Sequence, residues 1–392
     1  LVGAMSGERG IVIVGGGPAA KAAAGAYREA GGDGPVTIVA AEHDLPYERP
    51  PLTKGYLSGE SSRGDLALEA SDWYPDHGIE VVLGAAVAEL DLDEGEARTE
   101  DGRHWPFERC LLATGARPLV PDLPGADGPD VRLVRTISDS EQLAALSGCQ
   151  VLVAGSGFIG CEAAASLARR GARVTMATLE SSPQLERLGA QVSERLAAWL
   201  GELGVALLTE ADLAEISAPS AGALARFEDG REQEADAVVL ALGIVRNDGL
   251  AAAAGVESDD GVVVDAAMVS SHPRLLAAGD VAFARNAAAG RRLRVEHWGE
   301  ALNQGEVAGR TLAGTEASWD VAPGFWSTIG GRTLKYAGWG DGWDEVRFEA
   351  TGGDGFAAWY GREGELVGVL AHQRDRAYEE GKRLVGERSP WS

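Results

Sequence analysis

Cysteine is scarce: Cys110, Cys149 and Cys161 are the three in 392 residues. An odd, scattered set offers neither a disulfide framework nor the clustered ligands of a zinc site. No metal centre is expected, and a reducing cytoplasm is the expected setting. No apolar run reaches the roughly 18–20 residues that a membrane span needs, and no charged-then-apolar secretory leader opens the chain. Residues 1–8 carry no element pattern; residues 1–4 read as a remnant ahead of a native start at Met5. Basic charge is in deficit as well. Against 60 Asp and Glu stand 35 Lys and Arg, a net charge of −25. Such a surface repels DNA, RNA and anionic lipid, so neither nucleic acid nor membrane is an expected partner. The deficit ends near residue 321, beyond which 9 basic residues face 11 acidic ones.

What is present is a repeated pattern. Residues 11–14 are a β-branched run of the kind found in buried parallel strands. A Gly-rich turn follows, then an Ala-rich helix over 19–30 stopped by Gly31-Gly32, then a strand over 36–40. The same order returns as a strand over 151–154, a Gly-rich turn over 155–160, a helix over 161–170 and a strand over 174–178. Two βαβ units this far apart predict two nucleotide-binding domains. Further strands are expected at 79–83, 109–113, 205–208, 237–241 and 262–264. An amphipathic helix is expected over 188–203, with Val192, Leu196, Trp199 and Leu200 on one side. After residue 321, alternating runs at 345–349, 356–360 and 365–370 and a helix over 375–385 predict a small antiparallel sheet with one helix.

The first fingerprint is Gly15-x-Gly17-x-x-Ala20, with Pro18 and Ala19 inside it. Gly15 permits the tight turn, Gly17 lets a pyrophosphate approach the backbone, and Ala20 keeps helix against strand. Phosphates then sit at the helix N-terminus, where free N–H groups and the dipole favour negative charge. Glu42, past the second strand, can accept from ribose hydroxyls. The second fingerprint is Gly155-x-Gly157-x-x-Gly160, enclosing Phe158 and Ile159, and Gly243 is counted with this site. Thr178 stands where an acid is expected, with Glu180 two residues on and no Arg at the strand end to take a 2′-phosphate. NADH is therefore expected ahead of NADPH, which stays open.

Other segments, in order, are Arg49-Pro50-Pro51-Leu52-Thr53-Lys54-Gly55, Ala113-Thr114-Gly115-Ala116-Arg117-Pro118, Ala278-Gly279-Asp280-Val281-Ala282, Arg294-Val295-Glu296-His297-Trp298 and Pro323-Gly324-Phe325-Trp326-Ser327. Together they resemble the FAD-dependent ferredoxin and rubredoxin reductases, relatives of putidaredoxin reductase and apoptosis-inducing factor, from about residue 11 to at least 370. The resemblance implies an α/β chain: two Rossmann-like domains in a glutathione-reductase-like arrangement plus a small C-terminal α+β domain. A discontinuous FAD domain at 9–118 and 246–318, a nicotinamide domain at 119–245 and a C-terminal domain at 319–392 follow from it.

It also implies residue roles. Asp280 would hold the FAD ribityl chain; Ala113, Thr114 and Gly115 would close over the pyrophosphate; Arg49 would meet a phosphate or the flavin edge; Val87 would contact adenine. Glu296, His297 and Trp298 would lie against the pyrimidine side, and Trp326 would form an aromatic wall. Lys54 and Glu162 would pair near flavin N5. There a cation favours the reduced flavin, while the protein stacks the nicotinamide at about 3–3.5 Å. Phe158 either gates the nicotinamide face or simply packs. Arg246, where relatives commonly carry Pro before Asn, is expected to alter only a loop.

Disulfide reductases of this fold carry Cys-x4-Cys after the first βαβ unit, and related peroxidases and oxidases a single Cys. Residues 42–60 hold none. Cys161, on the nicotinamide side, reads as a small buried hydrophobe. Electrons would pass from NADH through FAD to an iron–sulfur protein of ferredoxin or rubredoxin type, in a monomer or homodimer. An NAD(P)H oxidase or quinone reductase, or a redox sensor like apoptosis-inducing factor, are the alternatives.

Overall fold

The structure is a computed structural model that describes residues 9–218 and 222–391. The expectation of a remnant before Met5 lies outside the described residues. The strand Gly10–Val14 is buried along its whole length, between Val36–Val39 and His104–Leu112, and runs parallel to both. Branched side chains on both faces suit that position. The helix after it, Pro18–Glu29, begins one residue earlier than expected because Pro fits the first helical position. It packs against the helix Trp298–Leu312. A Cβ at Gly305 would stand 2.5 Å from the Ala19 carbonyl oxygen, and one at Gly309 2.3 Å from that of Ala23. These two glycines let the helices touch backbone to backbone.

The nine-residue strand His104–Leu112 serves two sheets. Its first half joins the antiparallel strands Glu96–Thr99 and Val87–Asp91, and its second half the parallel sheet. Leu275–Ala277 arrives from far along the chain to pair with Cys110, Leu111 and Leu112. Between these segments a second parallel sheet forms, in the order Ala206–Leu208, Arg173–Ala177, Gln150–Ala154, Ala237–Leu240, Val131–Arg132. The antiparallel strands Leu213–Ser217, Ala223–Phe227 and Glu232–Ala235 accompany it. The chain leaves the first sheet through Ala116–Pro118 and returns through Ile244–Arg246, and these two strands pair with each other.

The expected helix over 188–203 is Ala190–Glu202, with Val192, Leu196, Trp199 and Leu200 buried. The C-terminal sheet has five antiparallel strands rather than the three expected. Gly324–Ile329 and Arg332–Gly338 form an additional hairpin turning at Gly330-Gly331, both at positive φ. Helix Asp375–Gly386 covers the sheet. The indole of Trp343 donates to the Arg187 carbonyl at 2.9 Å, and the Tyr360 hydroxyl to that of Leu188 at 3.0 Å. The C-terminal domain thereby holds the short helix Leu185–Leu188 that precedes Ala190–Glu202.

One expectation is corrected. Arg246 does not merely alter a loop: it ends a paired strand, is 7% exposed, and forms ion pairs with Asp260 and Glu296. A buried guanidinium is stable there because two carboxylates meet it. Among the described residues no helix is long and apolar enough to cross a membrane.

Candidate functional site

Both fingerprints open onto one cavity of about 800 Å³. Gly15 has φ +124°, and a Cβ there would stand 2.2 Å from the Ala113 carbonyl oxygen. Any side chain would force strand and turn apart. Gly17 differs: a Cβ would meet nothing within 4 Å. It precedes the helix Pro18–Glu29, whose first turn has no side-chain cap, so its N–H groups await an acceptor. Gly157, before the helix Phe158–Arg169, repeats both features. Two cradles of this kind fit two pyrophosphates, and FAD and a nicotinamide dinucleotide each carry one.

On the first side, Pro18, Ala19, Val87, Ala113, Thr114 and Gly115 line the cavity. Ala20 is fully buried behind the helix. Arg49, expected to meet a phosphate or the flavin edge, lines the cavity as well. Its guanidinium bonds Glu42 at 2.6 Å, the Tyr47 hydroxyl at 2.9 Å and the Arg135 carbonyl at 2.9 Å. Tyr47 donates to Glu42 at 2.6 Å, and burial keeps the phenol protonated by pushing its pKa well above the ordinary range. Glu42 is thus aimed by two partners. Asp280 lines the cavity and pairs with Arg135 at 3.1 Å. Asn247 donates to the Thr114 carbonyl and accepts through its own carbonyl from the Thr114 hydroxyl, both at 2.9 Å.

Lys54 and Glu162 come together from 108 residues apart, Nζ to Oε2 at 2.7 Å. Glu162 is 2% exposed. The Thr53 hydroxyl donates to the same oxygen at 2.5 Å, and the Ser327 hydroxyl to Oε1 at 2.6 Å. Three side chains from two distant parts of the chain therefore converge on one carboxylate. Thr53 adjoins Lys54 and Ser327 adjoins Trp326, so adjacency was the sequence signal for both.

Across the cavity, Trp298 and Trp326 meet edge to face at 5.7 Å. Phe158 sits edge-on to Phe325 at 4.8 Å, and Phe325 lies 4.5 Å from the His297 ring. Poor hydration, with help from the nearby Arg187 cation, pushes the His297 pKa down to about 3. Its Nδ1 and the Trp298 indole Nε1 are buried without a hydrogen bond among the described residues. Orphaned polar atoms lining a cavity mark where a polar ligand would bind. Glu296, Ile159 and Gly243 also line it.

Besides Ala20, four expected residues are not brought to the lining. Gly155 and Gly160 lie beneath the turn, where a Cβ at Gly160 would stand 2.1 Å from the Gly155 carbonyl oxygen. Thr178 is buried, its hydroxyl 2.7 Å from that of Ser156. Glu180 accepts from the Glu186 N–H at 3.1 Å. Arg135, Arg187 and Phe325 line the cavity without having been expected; they come from segments whose fold depends on distant contacts. Cys161 is fully buried, its thiol pushed up to about 12 by burial.

Residues 9–305 match the family model described as pyridine nucleotide-disulphide oxidoreductase, and residues 324–392 that described as reductase C-terminal. Rhodocoxin reductase of Rhodococcus erythropolis is 33% identical over 331 residues, covering 84% of this chain and 78% of the relative. Putidaredoxin reductase of Pseudomonas putida is 30% identical over 397 residues, covering 98% and 94%. The crystal structure of a covalent putidaredoxin reductase–putidaredoxin complex superposes with a TM-score of 0.91 at 28% identity, covering 98% of this chain and 94% of that one.

Proposed function

The chain belongs to the pyridine nucleotide-disulphide oxidoreductase family, and on that premise we propose that it passes electrons from NADH through FAD to an iron–sulfur protein of ferredoxin or rubredoxin type. It is an FAD-dependent NAD(P)H oxidoreductase of the ferredoxin reductase kind. The observation that carries the choice of acceptor is the cavity wall. Both phosphate cradles open onto it, and among the described residues no cysteine lines it. A thiol relay has no place there, so electrons leave the flavin directly.

When bound, FAD supplies the redox chemistry, taking two electrons together and releasing them singly. The chain's residues do the placing. Gly17 and the start of Pro18–Glu29 receive the FAD pyrophosphate, with Glu42 on the ribose and Asp280 on the ribityl chain. Gly157 and the start of Phe158–Arg169 receive the nicotinamide dinucleotide. Glu162 fixes Lys54, whose charge favours the reduced flavin. The absence of an arginine at the end of the strand Arg173–Ala177, where a 2′-phosphate would need one, supports NADH over NADPH.

The crossing strands Ala116–Pro118 and Ile244–Arg246 support the division into 9–118 plus 246–318, 119–245 and 319–392. The three free cysteines support a reducing cytoplasm. Anaerobic stopped-flow mixing with NADH and with NADPH tests the electron source. Fast bleaching of the flavin by NADH is expected; bleaching by neither would contradict the reading.

A further inference from the structure

Arg246 is a buried cation with one partner on solvent and one on the cavity. Nη1 donates to Oδ2 of Asp260 at 2.9 Å, and Nη2 to Oε1 of Glu296 at 2.6 Å. The Asp260 side chain is 63% exposed and lies 3.6 Å from Arg294 as well, so solvent and a second cation already balance it. Glu296 lines the cavity, directly before His297 and Trp298, and Arg246 is its hydrogen-bond and ion-pair partner among the described residues. The fold makes room for the guanidinium. Gly261 has φ +124°, and a Cβ there would stand 3.1 Å from Arg246 Cδ.

A free carboxylate in the wall of this cavity would be out of place. Every group expected to bind there carries phosphate, and a flavin gaining electrons gains negative charge. The Glu296 side chain is 45% exposed, so solvent screens part of its charge, but an unpaired Glu296 would still oppose both. Arg246, which approaches from the strand returning from the second sheet, removes that opposition without entering the cavity lining. We propose that Arg246 is a positioning residue that neutralises Glu296 beside the flavin and so raises the flavin's tendency to accept electrons. The inference rests on the reading of the cavity as an FAD site.

The test is the flavin midpoint potential of the purified holoenzyme, measured anaerobically against a reference dye in wild type, Arg246→Met, Arg246→Lys, Glu296→Gln and the Arg246→Met/Glu296→Gln double variant. Arg246→Met is expected to lower the reduced-to-oxidised ratio at a fixed potential about tenfold, or about 30 mV for a two-electron couple. Arg246→Lys keeps the charge and stays within about threefold of wild type. The double variant returns to the wild-type ratio, because the carboxylate is gone too. A purely structural staple would lower the melting temperature and leave the potential alone. An unchanged ratio in FAD-loaded Arg246→Met, or a double variant as low as the single, overturns the proposal. If Arg246→Met does not fold, Glu296→Gln decides: it should raise the ratio, and an unchanged ratio overturns the proposal. A wild-type protein that binds no FAD overturns the cavity reading itself, an outcome distinguishable from bound FAD with an insensitive potential.

Discussion

At the residue scale the account turns on Glu162 and on thiols that do nothing. Removing Lys54 leaves a carboxylate that is 2% exposed without its cation. Breaking a buried pair in this way costs about 3–5 kcal/mol. Lys54→Met should therefore melt several degrees lower and reduce its flavin with NADH about a hundredfold more slowly, while Glu162→Gln, which keeps hydrogen bonding, loses less stability. Calorimetry and rapid mixing separate the two effects. Burial raises the thiol pKa of both Cys110 and Cys161, the latter to about 12. Alkylation of the native protein at pH 8 should leave both unmodified, before and after reduction by NADH, and reach three thiols only in denaturant. New labelling after NADH would point to a thiol relay. His297 gives a pH signature. With its folded pKa depressed to about 3, the unfolded state binds its proton first as pH falls below about 6.5. Stability is then lost between about pH 6.5 and pH 3, and His297→Asn should flatten that part of the melting-temperature profile.

At the element scale, the two strand–turn–helix units separate glycines that serve the fold from glycines that serve the ligand. Gly15 and Gly160 are pressed against backbone carbonyls, whereas Gly17 and Gly157 face open space. Gly17→Val should fold with its helix content intact and purify without flavin, and Gly157→Val should keep FAD and lose NADH reduction. Gly15→Val should fail to fold, as circular dichroism would show. Much of this was legible in the sequence, because fingerprint spacing, strand and helix are local properties. Lys54 and Glu162 were legible because each sits beside a local motif. Ser327 was named only as part of a motif, and its bond to Glu162 requires the C-terminal hairpin to fold back 165 residues. Arg246 was misjudged for the same reason. A polar residue after a strand looks like loop until the partner carboxylates, 14 and 50 residues on, are in place. The strands Gly324–Ile329 and Arg332–Gly338 were missed although Gly330-Gly331 marks their turn.

At the scale of the whole molecule, three sheet-based parts close around one cavity and meet at one carboxylate. The net charge of −25 acts against that closure. Salt shortens the reach of the repulsion from about 10 Å at 0.1 M to about 3 Å at 1 M. Raising sodium chloride over this range should lift the melting temperature, and a fall would show that specific ion pairs outweigh the net repulsion. The central claim is the route of the electrons: from a nicotinamide, through a flavin with no thiol beside it, to a protein acceptor. It is tested most directly by reducing the holoenzyme anaerobically with one equivalent of NADH and mixing it with either an oxidised [2Fe–2S] ferredoxin or oxygenated buffer. The account predicts fast reoxidation by the ferredoxin, two equivalents reduced per flavin, and slow reoxidation by oxygen. Fast turnover with oxygen and none with the ferredoxin would contradict it.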